Sequence, residues 1–224
     1  MSCFFSEMRN TLEEELTIKQ FFVVRLMNQL TGVYTGIVLR RYQPTSNKIA
    51  LFDQKLGRID GIFFESEMIL GSLLNYFLKK RADNYFLDNY EIIDMPLAIA
   101  RLDLLFVHHV LELCYYFIPL GSTSDNVFSL LMLLYTKDYV WTSLIKKIFL
   151  FKLLTIIGFY PEHPLLHKAS MQYLLIMPID KIVEEQINLD CEKDLHNWLR
   201  FCMAHHPSID CFKTMSFLNE SRLV

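Results

Sequence analysis

The chain has 224 residues, of which 52% are apolar and 14% aromatic, and its formal net charge at pH 7 is −3. That length allows one large domain or two small ones, and the slightly acidic balance excludes a protein that coats nucleic acid over its whole surface. Because no apolar run reaches the length needed to cross a bilayer, we expect no contact with membranes.

The first 30 residues predict a helical N-terminal extension. Asn10 or Thr11 can cap a helix, with Glu13 to Glu15 near its positive end, before an apolar segment. Alternatively, the residues before Met27 are incidental to the fold. The segment does not resemble a signal peptide, because acidic residues precede its apolar part. Together with five irregularly spaced cysteines, this predicts free thiols and a cytoplasmic protein.

Residues 31–95 predict a small β-barrel domain. Turn signals separate runs that are rich in β-branched and aromatic residues, and Gly61 inside the third run indicates a bulge or a sharp bend. Five strands are the number found in an OB-type barrel. The predicted strands are Val33 to Tyr42, Lys48 to Asp53, Arg58 to Phe64, Leu73 to Leu78 and Tyr85 to Ile93.

Residues 96–224 predict an all-α domain. After Asp94-Met95-Pro96 the apolar period changes from two to about 3.6. Ser124 or Asp125 is positioned as an N-cap, and Gly158 as a left-handed C-terminal cap. The predicted helices are Leu97 to Phe117, Val127 to Tyr135, Tyr139 to Ile157, Leu165 to Met177, Asp180 to Ile187, Glu192 to Ala204 and Ile209 to Glu220. The predicted fold class is therefore α+β.

Basic residues are concentrated in the predicted barrel. Between positions 40 and 58, five basic residues oppose Asp53 alone, so the local charge is +4. Small barrels with basic strands and exposed aromatic rings commonly hold single-stranded nucleic acid, whereas a solvated meander would use the same charges only for solubility. A second basic group would lie at the barrel rim, where a solvated turn is again the alternative. The two groups are Arg40, Arg41, Lys48, Lys55 and Arg58, and Lys79, Lys80 and Arg81.

Catalytic and metal motifs are missing from the sequence. There is no G-x-S-x-G, no phosphate-binding glycine loop, no H-E-x-x-H and no C-x-x-C. The pair His108-His109 indicates a partly buried pair beside Glu112 rather than a metal site. We therefore expect no catalytic residue, no metal and no cofactor. The remaining metal-ligand types have spacings that fit no standard zinc finger: Cys191, His196, Cys202, His205, His206 and Cys211.

The order of several short motifs resembles the RecO family of recombinational repair proteins. The resemblance runs from Thr35 to Leu218. Its motifs are GIVLRR at 36–41, the Leu51-Phe52 strand end followed by Gly57-Arg58-Ile59, FIPLG at 117–121, LLTIIGFYP at 153–161, and His205-His206-Pro207 before Phe212 to Leu218.

This resemblance implies a DNA repair mediator that binds single- and double-stranded DNA, promotes strand annealing and helps to load recombinase. It implies two protein partners, RecR and the C-terminal tail of single-strand-binding protein. The basic residues of the barrel would meet phosphates, and Tyr42 could stack on a base. Such a protein needs no catalytic residue, because base pairing supplies the energy.

The alternative is an adaptor that grips the acidic tail of single-strand-binding protein while its DNA surface has degenerated. Lys146, Lys147 and Lys152 are expected to project from one predicted helix, because their spacings cannot all face the core. They could steer an acidic tail, or they could merely solubilise an apolar helix.

Overall fold

A computed structural model describes residues 32–42, 47–63, 68–82, 84–137, 139–182, 187 and 189–205. The predicted N-terminal extension and the predicted helix from Ile209 to Glu220 lie outside the described residues. So does most of the second half of the helix predicted from Asp180 to Ile187.

Five strands close into a barrel in the order β1-β2-β3-β5-β4. β3 and β5 are parallel, and the other neighbours are antiparallel. A closed five-stranded barrel with a helical region after it confirms the predicted fold class. The strands are β1 (Val33–Arg41), β2 (Lys48–Asp53), β3 (Gly57–Ile62), β4 (Leu73–Arg81) and β5 (Asn84–Asp94).

Alternation along the strands divides the barrel residues between two cores. One core fills the barrel and includes Val38, Leu51 and Leu74. Outward residues of β1 and β2, such as Ile37 and Phe52, belong to the larger core of the helical region. One outer side of the barrel is therefore covered by helices and closed to ligands.

Two glycines in β3 allow close approaches that a side chain would block. Gly57 has φ +72°, and a Cβ there would lie 2.0 Å from the carbonyl oxygen of Ser122. A Cβ at Gly61 would lie 2.3 Å from Leu87 Cδ1, where β3 meets β5. The register between β2 and β3 is continuous through Gly61, so this glycine gives space to Leu87 instead of forming the expected bulge.

The described part of the chain after the barrel contains six α-helices. They are α1 (Leu97–Leu102), α2 (Leu104–Phe117), α3 (Asp125–Met132), α4 (Ser143–Ile157), α5 (Ala169–Ile176) and α6 (Leu189–Ala204). Ser124 caps α3 through its hydroxyl group, and α4 ends at Gly158 in the left-handed conformation, as expected. Short 3₁₀ turns lie at Leu133–Tyr135, Pro164–His167 and Ile179–Lys181.

Several predicted helices have different bounds in the structure, and three of them show the physical reason. The helix predicted from Leu97 to Phe117 breaks at Asp103, whose carboxylate instead caps α2 by accepting from the Phe106 amide at 2.9 Å. The helix predicted from Tyr139 to Ile157 begins at Ser143, since Thr142 is its N-cap. The helix predicted from Leu165 to Met177 is divided at Lys168, whose extended backbone separates a 3₁₀ turn from α5.

Candidate nucleic-acid interface

A group of five side chains joins the barrel to α2, and we call it the junction cluster: Arg40, Tyr42, Arg58, Tyr115 and Tyr116. The guanidinium carbons of Arg40 and Arg58 each lie 4.6 Å from the centre of the Tyr115 ring. Arg40 also donates a hydrogen bond of 2.9 Å to the hydroxyl oxygen of Tyr116. These two arginines are half-buried and face α2, so their charges are already in contact with protein groups.

Arg58 also holds the C-terminal end of α2. Its Nη1 donates to the carbonyl oxygens of Tyr115 and Ile118, the latter at 2.8 Å. Carbonyls of the last helical turn have no partner inside the helix. Arg58 therefore satisfies groups that would otherwise be left without one, and its role in the structure is a helix cap supplied by the barrel.

Tyr42 is bound from both sides within the junction cluster. Its hydroxyl donates to Asp60 Oδ2 at 2.7 Å and accepts from the Tyr115 hydroxyl at 3.3 Å. Burial raises the pKa of Tyr42, and the hydrogen bonds with Tyr115 and Asp60 raise it further, so the phenol stays neutral. The ring is half-buried against Tyr115 and offers little area to an incoming base.

The β4–β5 hairpin has a different environment. Lys79, Lys80 and Arg81 are exposed at the end of β4, at the barrel rim where the sequence places them. The Lys80 ammonium lies 5.5 Å from the centre of the Tyr85 ring, and the Arg81 guanidinium lies 5.7 Å from that of Phe86. Lys79 pairs with the carboxylate of Asp88. Cations and aromatic rings are thus interleaved on an open surface.

One row of this surface crosses four strands. Lys48, Ile62, Phe86 and Lys79 occupy paired positions on β2, β3, β5 and β4. Paired residues share a face of the sheet, and the neighbours of this row in sequence fill the barrel, so the row points outward. Phe77, with 40% of its surface exposed, lies on the same side of β4. We call this set the hairpin strip: Lys48, Ile62, Phe77, Lys79, Arg81 and Phe86.

The aromatic residues of the hairpin strip, Phe77 and Phe86, were not among the predicted site residues. Phe77, Lys79 and Arg81 are two residues apart along β4, and this spacing places them on one face of a strand. That alternation was available in the sequence. Phe86 comes next to them only through the pairing of β4 with β5, which no local pattern specifies.

The other two basic residues of the barrel lie away from the hairpin strip. Lys55 is exposed in the β2–β3 turn, where its ammonium lies 3.4 Å from the carbonyl oxygen of Val33 and 5.6 Å from the centre of the Tyr34 ring. Arg41 is half-buried, 5.9 Å from the centre of the Phe63 ring. Neither extends the row of cations that crosses the sheet.

The three lysines of α4 all contact groups inside the helical region. Lys146 pairs with Asp103 and Lys147 with Glu192, each at 2.6 Å, and Lys152 donates to the carbonyl oxygen of Leu175 at 2.6 Å. Lys147 and Lys152 are buried, so the expectation that they project from the helix was wrong. The long lysine stems let both residues pack in the core while each ammonium reaches a polar group. Whether these lysines bind a partner stays a prediction.

His109 is buried in α2, while its neighbour His108 is half-buried. Burial lowers the pKa of His109 to about 4. Among the described residues, no group of three or more His, Cys, Asp or Glu side chains is arranged to hold a metal ion. In the same part of the chain, no helix has both the length and the apolarity needed to cross a membrane.

Lowering the pH should destabilise the protein through His109. In the unfolded chain this residue binds a proton near its ordinary pKa of 6.5, whereas the folded protein resists protonation down to about pH 4. Stability is therefore retained above pH 6.5 and lost as the pH falls towards 4. The loss is at most about 3.5 kcal/mol, since the pKa differs by about 2.5 units and each unit corresponds to about 1.4 kcal/mol. Urea unfolding of the wild type and of His109→Gln at pH 7.5 and 4.5 measures this loss. If the two proteins differ in free energy of unfolding by the same amount at both pH values, His109 is not the cause of the pH dependence.

Comparison of the chain with protein-family models found no matching family, and a search of curated proteins found no matching relative.

Proposed function

We propose that this protein binds single-stranded DNA along the hairpin strip and works in the cytoplasm as a RecO-like recombination mediator. In that role it promotes strand annealing and helps to load recombinase together with RecR and single-strand-binding protein. The observation that supports the proposal is the hairpin strip, where the exposed cations Lys48, Lys79 and Arg81 lie on the same outer face of an OB-type barrel as the rings of Phe77 and Phe86.

The exposed cations supply the first part of the binding energy. The strip's cations Lys48, Lys79 and Arg81, together with Lys80 at the end of the hairpin, can neutralise phosphates of one strand and release its counterions. Two of these lysines already pair with Asp60 and Asp88 at the surface. Exposed ion pairs of this kind contribute only about 0–1 kcal/mol, so exchanging a carboxylate for a phosphate costs little.

The aromatic rings supply the second part of the binding energy. Phe77 and Phe86 lie beside the cations on the outer face of the hairpin, and every nucleobase can stack on such a ring. Binding of this type has little sequence preference. An annealing protein needs that property, because it must hold whichever strands are to be paired.

Fluorescence anisotropy with a labelled oligo(dT) strand tests the proposal. We expect binding at low salt, with a slope of log K against log salt near −3, since four cations each contribute about −0.7 with single strands. Absence of binding at low salt would overturn the DNA role.

One observation favours the adaptor as a second candidate. Leu102, Leu104 and Leu105 are exposed at the joint between α1 and α2, beside the ion pair of Asp103 with Lys146. An acidic tail with apolar residues could cover the leucines and compete with Asp103 for Lys146. Calorimetric titration of the same protein sample with an acidic, apolar peptide distinguishes the two roles: heat of binding without oligonucleotide binding supports the adaptor.

A further inference from the structure

The barrel wall is incomplete next to the hairpin strip. β3 and β5 pair through only two residue pairs, Gly61 with Tyr85 and Ile62 with Phe86. Below them β3 forms one isolated bridge, from Arg58 to Leu120, and the Gly121 amide donates to the Arg58 carbonyl oxygen at 2.7 Å. A cleft therefore opens between β3, the start of β5 and the loop after α2.

The cleft has a volume of about 440 Å³. Small-molecule sites range from about 300 to 1,000 Å³, so this one has room for a single nucleotide and none for a strand. Its lining is mainly apolar and also includes the polar residues Lys55, Arg58, Asp60 and Thr123. The proposed contacts with a ligand involve these lining residues: Lys55, Leu56, Ile59, Tyr85, Leu120 and Thr123.

We propose that this cleft holds one nucleobase of the bound DNA strand, stacked on the ring of Tyr85, with the attached phosphates between Lys55 and Lys80. This inference rests on the proposed function and names a subsite that the hairpin strip does not include. The flat apolar space suits a base, and the two lysines suit the phosphates on either side of it.

Continuity with the hairpin strip supports this occupant. Tyr85 follows Asn84 at the start of β5 and precedes Phe86, whose ring lies on the outer face. The Lys80 ammonium already lies 5.5 Å from the centre of the Tyr85 ring. Tyr85 pairs with Lys80, so both side chains lie on the opposite face of the hairpin from Phe86 and Arg81, and a strand on the hairpin strip turns over the hairpin end to reach the cleft. Leu120 is 60% exposed at the opposite wall and can close over the base.

Photo-crosslinking locates the base directly. The probe is an oligo(dT) strand in which 5-iodouracil replaces thymine, irradiated in complex with the full chain and analysed by mass spectrometry. We expect the crosslinked peptide to carry Tyr85. Leu120→Trp should block the cleft and remove this crosslink, while oligonucleotide binding by anisotropy weakens only a few-fold.

Affinities provide an independent measure. Tyr85→Ala should weaken oligo(dT) binding about tenfold through the loss of one stacking contact, and Tyr85→Phe, which keeps the ring, should bind within about twofold of the wild type. Circular dichroism establishes whether each variant is folded. If Tyr85→Ala does not fold, Leu120→Trp still tests the cleft.

The outcomes separate the two proposals. If crosslinks occur only at Phe77 and Phe86 while the oligonucleotide binds with normal affinity, the proposal that the cleft holds a base is wrong. The hairpin strip then remains the binding surface. Absence of oligonucleotide binding at low salt overturns both.

Discussion

Replacing Arg58 with alanine should lower the free energy of unfolding by about 3 kcal/mol, because hydrogen bonds to charged groups are worth about 1.5–3 kcal/mol each. The substitution leaves the carbonyl oxygens of Tyr115 and Ile118 without their donor at the end of α2, and it removes the cation from the Tyr115 ring. Thermal unfolding followed by circular dichroism should show a Tm lower by roughly 6–12 °C for a chain of this size.

Two variants control for the Arg58 effect. Lys55→Ala removes an exposed cation from the neighbouring turn and should change stability by less than about 0.5 kcal/mol. Arg58→Lys keeps the charge and a donor but lacks the planar guanidinium that lies over the Tyr115 ring, so it should recover only part of the loss. An Arg58→Ala protein as stable as the wild type would show that α2 does not depend on this cap.

Reversing two charges at the hairpin, in Lys80→Glu/Arg81→Glu, should weaken oligo(dT) binding at least about a hundredfold at low salt. The change removes two attractions and adds two repulsions, and a pair of unit charges 4 Å apart in water interacts with about 1 kcal/mol. Both side chains are exposed and hold no other element in place, so stability should change by less than about 0.5 kcal/mol. Anisotropy and urea unfolding on the same preparation measure both quantities.

The matched control is Lys137→Glu/Lys181→Glu, which changes the net charge equally at exposed positions of the helical region. Its affinity should fall several-fold at most, through the long-range field alone. Equal losses in the two double variants would mean that net charge, and not the hairpin, attracts the strand.

The sequence predicted the barrel well because the deciding signals are local. Runs rich in β-branched, aromatic or other apolar residues define the strands, and turn residues separate them within a few positions. The predicted helix ends were less accurate. Asp103 and Lys168 have non-helical backbone conformations that interrupt the helices, although the apolar pattern of the sequence continues through them. Asp103 combines a cap with an ion pair to Lys146, a residue 43 positions away that comes near only in the folded chain.

The candidate site was predicted less completely, for a related reason. Arg40 and Arg58 look like exposed strand cations in the sequence, yet Tyr115, the ring they contact, is supplied by α2. Lys147 and Lys152 were expected to project from the helix because the spacing of its three lysines cannot place all of them toward the core. Their partners, supplied by α6 and α5, come near only in the folded chain. The basic triplet at the rim lies where the strand pattern placed it, because a hairpin end is a local feature.

The central claim is that the cations divide by role: the junction cluster holds barrel and helices together, and the hairpin binds the DNA strand. The salt dependence of oligo(dT) binding, measured on the wild type and on Lys79→Ala/Lys80→Ala/Arg81→Ala, tests it most directly. Loss of three phosphate contacts should reduce the magnitude of the log K against log salt slope by about 2. A slope that is the same in both proteins would contradict the claim, because the counterions would then be released by contacts elsewhere on the chain.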